Sequence, residues 1–176
     1  MANVLLITTA DLKRFSALSG NIDDDKLIQF VKIAQDIHIQ NYLGTDLYVR
    51  LKEGVQNSNL TSNETALINN YVKDMLIHWS LVEVLGHVAY TISNNGVFKR
   101  FNENSETVTK DELDSLIQRH RTIAQSYTRR FVAYMCENSV LFPEYDSNEA
   151  EDVYPSQETD FYGWVLSLSF IMTLVL

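Results

Sequence analysis

The stretch from Leu27 to Gly54 constrains the fold most, because two helical patterns follow each other in it without a gap. Its first half carries apolar residues at spacings of three and four, as on one face of an α-helix, and these are Leu27, Phe30, Val31, Ala34, Ile37 and Tyr42. Gly44 suits a turn with positive φ, where a side chain would strain the backbone. Thr45 can then cap a second helix that stops at Gly54. The stretch therefore predicts two helices joined by a tight corner at Gly44 and Thr45.

The length and composition of the chain fit one helical domain. The chain has 176 residues, of which 45% are hydrophobic, and this is enough to fill a single core. Six glycines and two prolines are few for an all-β chain with many tight turns. The single cysteine, Cys136, excludes an internal disulfide, and its apolar and aromatic neighbours predict a buried side chain. With no leader-like segment in view, we expect a protein made and kept in a reducing cytoplasm.

Further helices are predicted from their start signals. Thr8 or Thr9 can cap a short helix over Asp11 to Leu18, and the acidic run at residues 23–25 is typical of a helix N-terminus. Two capping boxes, in which a threonine and a glutamate three residues later bind each other's backbone amides, open two long helices at Thr61 and Thr109. The first should run to Ile92 and carry Leu67, Ile68, Tyr71, Met75, Trp79, Val82, Leu85 and Ala89 on its apolar side. The second should bury Leu113, Leu116, Ile117, Ile123, Ala124, Tyr127, Phe131, Tyr134 and Met135.

Basic residues are concentrated in the second long helix. Arg119, Arg121, Arg129 and Arg130 belong to a set of seven basic side chains between Lys99 and Arg130, which is half of the chain's total. Such a set is either a solvated helix face or a docking surface for an acidic partner, such as the acidic end of a neighbouring copy. Of the net charge of −9, nearly all lies in residues 131–176, where eight acidic and no basic residues occur. Such acidity repels phosphate and disfavours sequence-specific nucleic-acid binding.

The last part of the chain is predicted to be an extended arm that ends in a strand. Residues 144–160 contain seven acids and little apolar content, which predicts an arm that leaves the domain. From Trp164 onward, apolar residues alternate with serine and threonine in the period of a strand; the first four of one side are Trp164, Leu166, Leu168 and Phe170. Residues 164–176 are too few for a membrane span, which needs ~20. A strand of this kind needs a partner, and a neighbouring subunit is the natural candidate.

No pattern in the chain indicates catalysis or metal binding. Glu83 and His87 lie four apart on one predicted helix, but the Glu-x-x-His spacing of di-iron bundles and the paired histidines of zincins are absent. His38, His78 and His120 have no companion at ligand spacing, so packing or surface roles are expected for them. We therefore expect no enzyme, no cofactor and no metal site.

The N-terminal half resembles a known protein family. The run ITTADLKRF, the acidic DDD helix start and the run FVKIAQDIHIQNYLGTDLY are similar to the helical head–tail connector (adaptor or ring) proteins of tailed bacteriophages, most closely those of crAss-like phages. This resemblance implies a dodecameric ring of identical subunits beneath the portal of the phage head. Its partners would be the portal protein and the next ring or tail protein. Packaged DNA would pass through the lumen without being read, and the protein would reside at the head–tail junction of the virion.

Together these features predict an all-α protein: a helical connector domain over residues 1–142 with two long helices and short N-terminal helices, then an arm with a terminal strand over residues 143–176. The predicted function is a structural virion component that forms an oligomeric ring between portal and tail and lines or surrounds the DNA channel, with no membrane contact. The alternative is a helical regulatory or nucleic-acid-binding module that uses the basic residues between Lys99 and Arg130.

Overall fold

The structure is a computed structural model that describes residues 4–18, 22–88, 90–93, 96–99, 109–147 and 152–158. These residues are mostly α-helical, which confirms the predicted class at that level. The helices are α1 (Thr9–Arg14), α2 (Asp24–Ala34), a π-helical segment (Gln35–Ile39), α3 (Gln40–Leu43), α4 (Thr45–Asn57), α5 (Ser62–Leu67), a second π-helical segment (Ile68–Val72), α6 (Lys73–Val88), α7 (Lys110–Asn138), a 3-10 turn (Ser139–Leu141) and α8 (Pro143–Ser147). Two short strands, β1 (Tyr90–Ser93) and β2 (Gly96–Lys99), pair antiparallel between α6 and α7.

Helix starts follow the predicted caps. Thr8, Thr61 and Thr109 each form a full capping box, with Asp11, Glu64 and Glu112 as the returning carboxylates. The acidic run also caps, because the Asp23 side chain accepts a hydrogen bond from the amide of Asp25. Local side-chain chemistry thus fixes where four of the helices begin.

The apolar face predicted for the helix before the corner is correct for Leu27, Val31, Ala34 and Tyr42, which are buried, and wrong for Ile37. Ile37 lies in the π-helical segment, which has more residues per turn than an α-helix, so the spacing of an α-helix does not hold there. Ile37 is consequently 60% exposed, whereas Ile39 and Leu43 are buried. Gln35 is also buried, and its amide oxygen accepts from the backbone amide of Leu6, which fastens the N-terminal segment to this helix.

The corner contains Gly44 as predicted, with φ 75° and ψ 160°, a conformation that L side chains rarely adopt. Thr45 is the first residue of α4 and makes no capping hydrogen bond, so its predicted role as a cap is wrong. Gly54 does not stop the helix either, since α4 continues to Asn57 and ends at Ser58, which has φ 53°. Gly54 instead lets Leu60 approach closely, because a Cβ added at Gly54 would lie 2.4 Å from a Leu60 methyl carbon.

The first long helix ends at Val88, so the prediction that it reaches Ile92 is wrong. Residues 90–93 form β1 and pair with β2 in a register that places Ser93 opposite Gly96. The run Tyr-Thr-Ile-Ser is rich in aromatic and β-branched residues, and Asn95-Gly96 is a strong hairpin signal, so strand propensity prevails there. Leu67, Ile68, Met75, Trp79 and Val82 are buried as predicted.

Helix α7 packs against α6 mainly through its C-terminal half. Ala124, Phe131 and Met135 are buried as predicted, while Leu116 is 40% exposed and does not belong to the core. The rings of Tyr71 and Tyr134 stack with centroids 4.2 Å apart and join the second π-helical segment to α7. The first half of α7 therefore presents most of its surface to solvent.

The predicted arm does not leave the domain in the parts that the structure describes. Phe142 and Tyr145 are buried, because α8 packs on α4. Residues 152–158 have no regular secondary structure and are hydrogen-bonded to Thr45 at the corner and to Asn41 just before it. The division of the chain at residue 142 stays a prediction, and the predicted terminal strand lies outside the described residues. Among those described, no helix is both long enough and apolar enough to cross a bilayer.

Candidate interaction surfaces

Arg119, Arg121, Arg129 and Arg130 are all exposed on α7. At about 100° per residue, Arg119 and Arg130 lie on nearly the same line of the helix, Arg129 lies about 80° to one side of it, and Arg121 lies about 160° away from it. The four side chains thus surround the solvent side of α7 and do not form one flat patch. None of them forms an ion pair with a described residue, although the Arg130 guanidinium lies 5.2 Å from the centroid of the Tyr71 ring.

Exposed apolar side chains follow directly after α7. Val140 is 86% exposed and Leu141 is 46% exposed. Cys136 is exposed as well, so its predicted burial is wrong. Cys136 lies on the solvent side of α7, although aromatic residues are close to it in the sequence. The neighbouring Met135 occupies the core position instead. The C-terminal end of α7 and the turn that follows it therefore expose Cys136, Val140 and Leu141.

The structure brings two histidines together that sequence spacing leaves apart. His78 on α6 and His120 on α7 have their Nδ1 atoms 3.3 Å apart, and the Tyr127 ring lies parallel to His78 with centroids 5.5 Å apart. The packing role expected for His78 and His120 therefore agrees with the structure, although the sequence did not indicate that they contact each other. Burial lowers the pKa of both side chains. The positive charge of His120 lowers the pKa of His78 further, and the carboxylate of Asp74 opposes this effect. The positive charge of Arg119 lowers the pKa of His120 further.

A second histidine contact shows which side chain the Glu83 carboxylate binds. The Glu83 carboxylate lies 3.1 Å from Nε2 of His38, and the His38 ring stacks on Trp79 with centroids 3.9 Å apart. His87 uses its Nδ1 to donate to the backbone carbonyl of Glu83 and does not contact the carboxylate. Glu83 and His87 thus do not converge on one point. Within the described part of the chain, no group of three or more His, Cys, Asp or Glu side chains could hold a metal ion.

The corner is also a binding site for a distant part of the same chain. The Thr45 hydroxyl donates to the Asp152 carboxylate at 3.0 Å and accepts from the Val153 amide at 3.1 Å. The backbone adds two hydrogen bonds, from the Thr45 amide to the Val153 carbonyl and from the Ser156 amide to the Asn41 carbonyl. Sequence reasoning missed this contact, because no local pattern signals a partner more than a hundred residues away.

The remaining predicted interface residues, Trp164, Leu166, Leu168 and Phe170, lie outside the described residues. Arg119, Arg121, Arg129 and Arg130 lie on α7, well separated along the chain from the corner at Gly44 and Thr45. The structure therefore provides two distinct surfaces: the basic solvent side of α7 and the corner with its docked segment.

The fold and these surfaces define a small, mostly α-helical protein whose notable features are contact surfaces. The chain belongs to DUF6712, a family of unknown function, whose profile matches residues 39–154. This range begins in the first π-helical segment and ends in the segment docked on the corner. No curated protein and no solved structure is significantly similar to the chain.

Proposed function

We propose that this protein is a structural subunit of the head–tail connector of a tailed bacteriophage and forms an oligomeric ring between portal and tail. The proposal rests on the resemblance of runs within residues 7–48 to connector proteins and on a surface suited to self-association. In the ring, packaged DNA passes through the lumen without sequence readout. No catalytic step, cofactor or membrane contact is part of this function.

The observation that carries the proposal is the set of four exposed arginines on α7. Within the described residues they have no acidic partner, while residues 131–176 hold an excess of eight acidic charges. Opposite charges on two surfaces of the same chain favour contact between copies, since like subunits can then associate head to tail around a ring. The exposed Val140 and Leu141 add apolar area in the turn that follows α7.

The finer architecture belongs to the same proposal. Two long helices form the body of each subunit, and residues 164–176 act as a strand that joins a neighbouring subunit in the assembled ring. Strand addition satisfies the backbone amides of such a segment and buries its apolar side. A dodecamer is the ring size that the connector resemblance implies, and the virion is the expected location.

A second function, nucleic-acid binding, is favoured by the same arginines. Exposed guanidinium groups without an acidic partner bind phosphate readily. The net charge of −9 opposes this reading, because it repels a polyanion before contact. It is therefore the weaker candidate.

One experiment separates these functions. The purified protein is examined by sizing chromatography with light scattering and by electron microscopy, alone and mixed with a portal protein from the same phage. A ring-sized species, or a ring that forms on the portal, supports the connector. Failure to form rings in both conditions, together with binding to short duplexes that weakens as salt is raised, would support the nucleic-acid module instead.

A further inference from the structure

An exposed apolar ridge lies on the helix that leads into the corner. We define this α2 ridge as Phe30 and Ile33 of α2 together with Ile37 of the π-helical segment that continues it. Residues three and four apart on a helix lie on the same side, so these three side chains follow one another along it. Ile33 is 37% exposed and Ile37 is 60% exposed, while Phe30 is half-buried beside the His87 ring. The two neighbouring isoleucines thus form a small exposed apolar surface.

The described end of the chain approaches this ridge from the corner. Val153 is bonded to Thr45, and Ser156 is bonded to Asn41 at 2.8 Å. The segment therefore runs opposite to the direction of α3. Asn41 is exposed and lies four residues after Ile37, which is about one helical turn further along the chain. At residue 158, the last described residue of this segment, the chain is therefore directed toward Ile37.

The remaining part of the chain is long enough and apolar enough to cover the ridge. From Ser156 to Trp164 an extended chain spans up to ~26 Å, whereas Ile33 is only ~12 Å from Asn41 along the helix axis. Residues 164–176 are apolar at every second position from Trp164, so one side of an extended segment is apolar throughout and can contact the ridge, whereas the three hydroxyl residues Ser167, Ser169 and Thr173 lie on the other side together with Val165, Ile171 and Val175. A tether this short gives an effective concentration on the order of millimolar, which favours the chain's own segment over that of a second copy.

We propose that the α2 ridge is the docking site for residues 164–176 of the same chain in the isolated protein. Trp164, Leu166 and Leu168 supply the apolar contacts, and Ile33 and Ile37 receive them. The inference concerns the isolated chain and does not depend on the proposed function, because it predicts an intramolecular contact that precedes any assembly. Its failure leaves the connector proposal standing, and failure to form rings leaves this docking site standing.

The test is hydrogen exchange of the amides of residues 164–176, measured by mass spectrometry on the full-length protein at two concentrations a hundredfold apart. The variant is the double substitution Ile33→Ser and Ile37→Ser. The matched control is Ile28→Ser, because Ile28 is a similarly exposed isoleucine of the same helix, at 43%, but lies off the ridge. Exchange of the α7 core amides in each variant reports whether the domain is still folded.

In the wild-type protein the segment should exchange more slowly than the free peptide, to the same degree at both concentrations. In the double variant these amides should exchange at least about tenfold faster, since burial of each isoleucine favours docking by roughly a factor of ten. In the Ile28→Ser control they should exchange as in the wild type. Free-peptide exchange in the wild type would overturn the proposal. So would protection that appears only at the higher concentration, or an equal loss in the Ile28→Ser control.

Discussion

His78 and His120 face each other across the contact between α6 and α7 with their Nδ1 atoms 3.3 Å apart. Each neutral imidazole has one protonated and one unprotonated nitrogen, so one Nδ1 donates and the other accepts. Adding a proton to each ring would place two N–H groups opposite each other and bring two positive charges together. The contact is therefore compatible with neutral rings and incompatible with two charged ones.

We expect this pair to make stability depend on pH. The pKa of both histidines is lowered from the ordinary 6.5, by burial first and then by the neighbouring positive charges. The unfolded chain then binds more protons than the folded one, so the pair's contribution is complete above pH 6.5 and is lost as the pH falls below it. Melting temperatures between pH 8 and pH 5 should show this decrease in the wild type.

The substitution His120→Gln should flatten that decrease, because it leaves no second ring to repel His78. His87→Gln is the matched control, since His87 is exposed and donates only to a backbone carbonyl. A pH profile of His120→Gln that parallels the wild type would show that the pair does not cause the dependence.

Gly44 is expected to be intolerant of a side chain. With φ at 75°, replacement by valine should lower the free energy of unfolding by about 1–2 kcal/mol, or about 3–6 °C in melting temperature. Gly86 offers the control, since it lies within α6 with open space around it, and Gly86→Ala should stabilise the helix by up to ~1 kcal/mol. Equal denaturation midpoints for Gly44→Val and the wild type would count against a strained corner.

The arginines on α7 are expected to serve association and not folding. Exposed charges without ion-pair partners contribute little to stability, so the double variant Arg121→Glu and Arg129→Glu should melt within about 1–2 °C of the wild type. It should fail to form the ring or to bind the portal. A matched double reversal away from α7, Arg14→Glu and Lys26→Glu, should assemble normally. Normal assembly of the α7 variant would remove the support for the connector surface.

Thr45 is expected to hold residues 152–158 at the corner through its hydroxyl. Thr45→Val removes the hydrogen bonds to Asp152 and Val153 and should cost about 1 kcal/mol or more. Limited proteolysis should then cut near residue 152 faster than in the wild type. Thr45→Ser keeps the hydroxyl and should resist cleavage as the wild type does; if the valine variant resists equally, the backbone hydrogen bonds alone are sufficient.

Features set by neighbouring residues were predictable from the sequence. The capping boxes at Thr61 and Thr109 and the hydroxyl cap at Thr8 involve partners three residues away, and the positive φ of Gly44 follows from the residue type. These signals fix helix starts and the corner before any tertiary contact forms. They also sufficed to predict a mostly helical chain.

Features set by packing were not predictable. A π-helical turn depends on which side chains the core accepts, so Ile37 was assigned to the wrong face. His78 and His120 are 42 residues apart in sequence, and only the packing of α6 on α7 brings them together. Cys136 was misplaced for a similar reason: adjacent residues on a helix point in different directions, so apolar sequence neighbours do not imply burial.

The two π-helical segments have a consequence for changes in chain length. A π turn holds about one residue more than an α-helical turn, so deleting a single residue within 35–39 or 68–72 converts it into an ordinary turn while the flanking helices keep their orientation. In the middle of α4 or α7 there is no extra residue in the turn to remove, so a deletion there rotates every later side chain of the helix by about 100°. Homologous chains that are shorter by one residue are therefore expected to carry the gap inside these two segments.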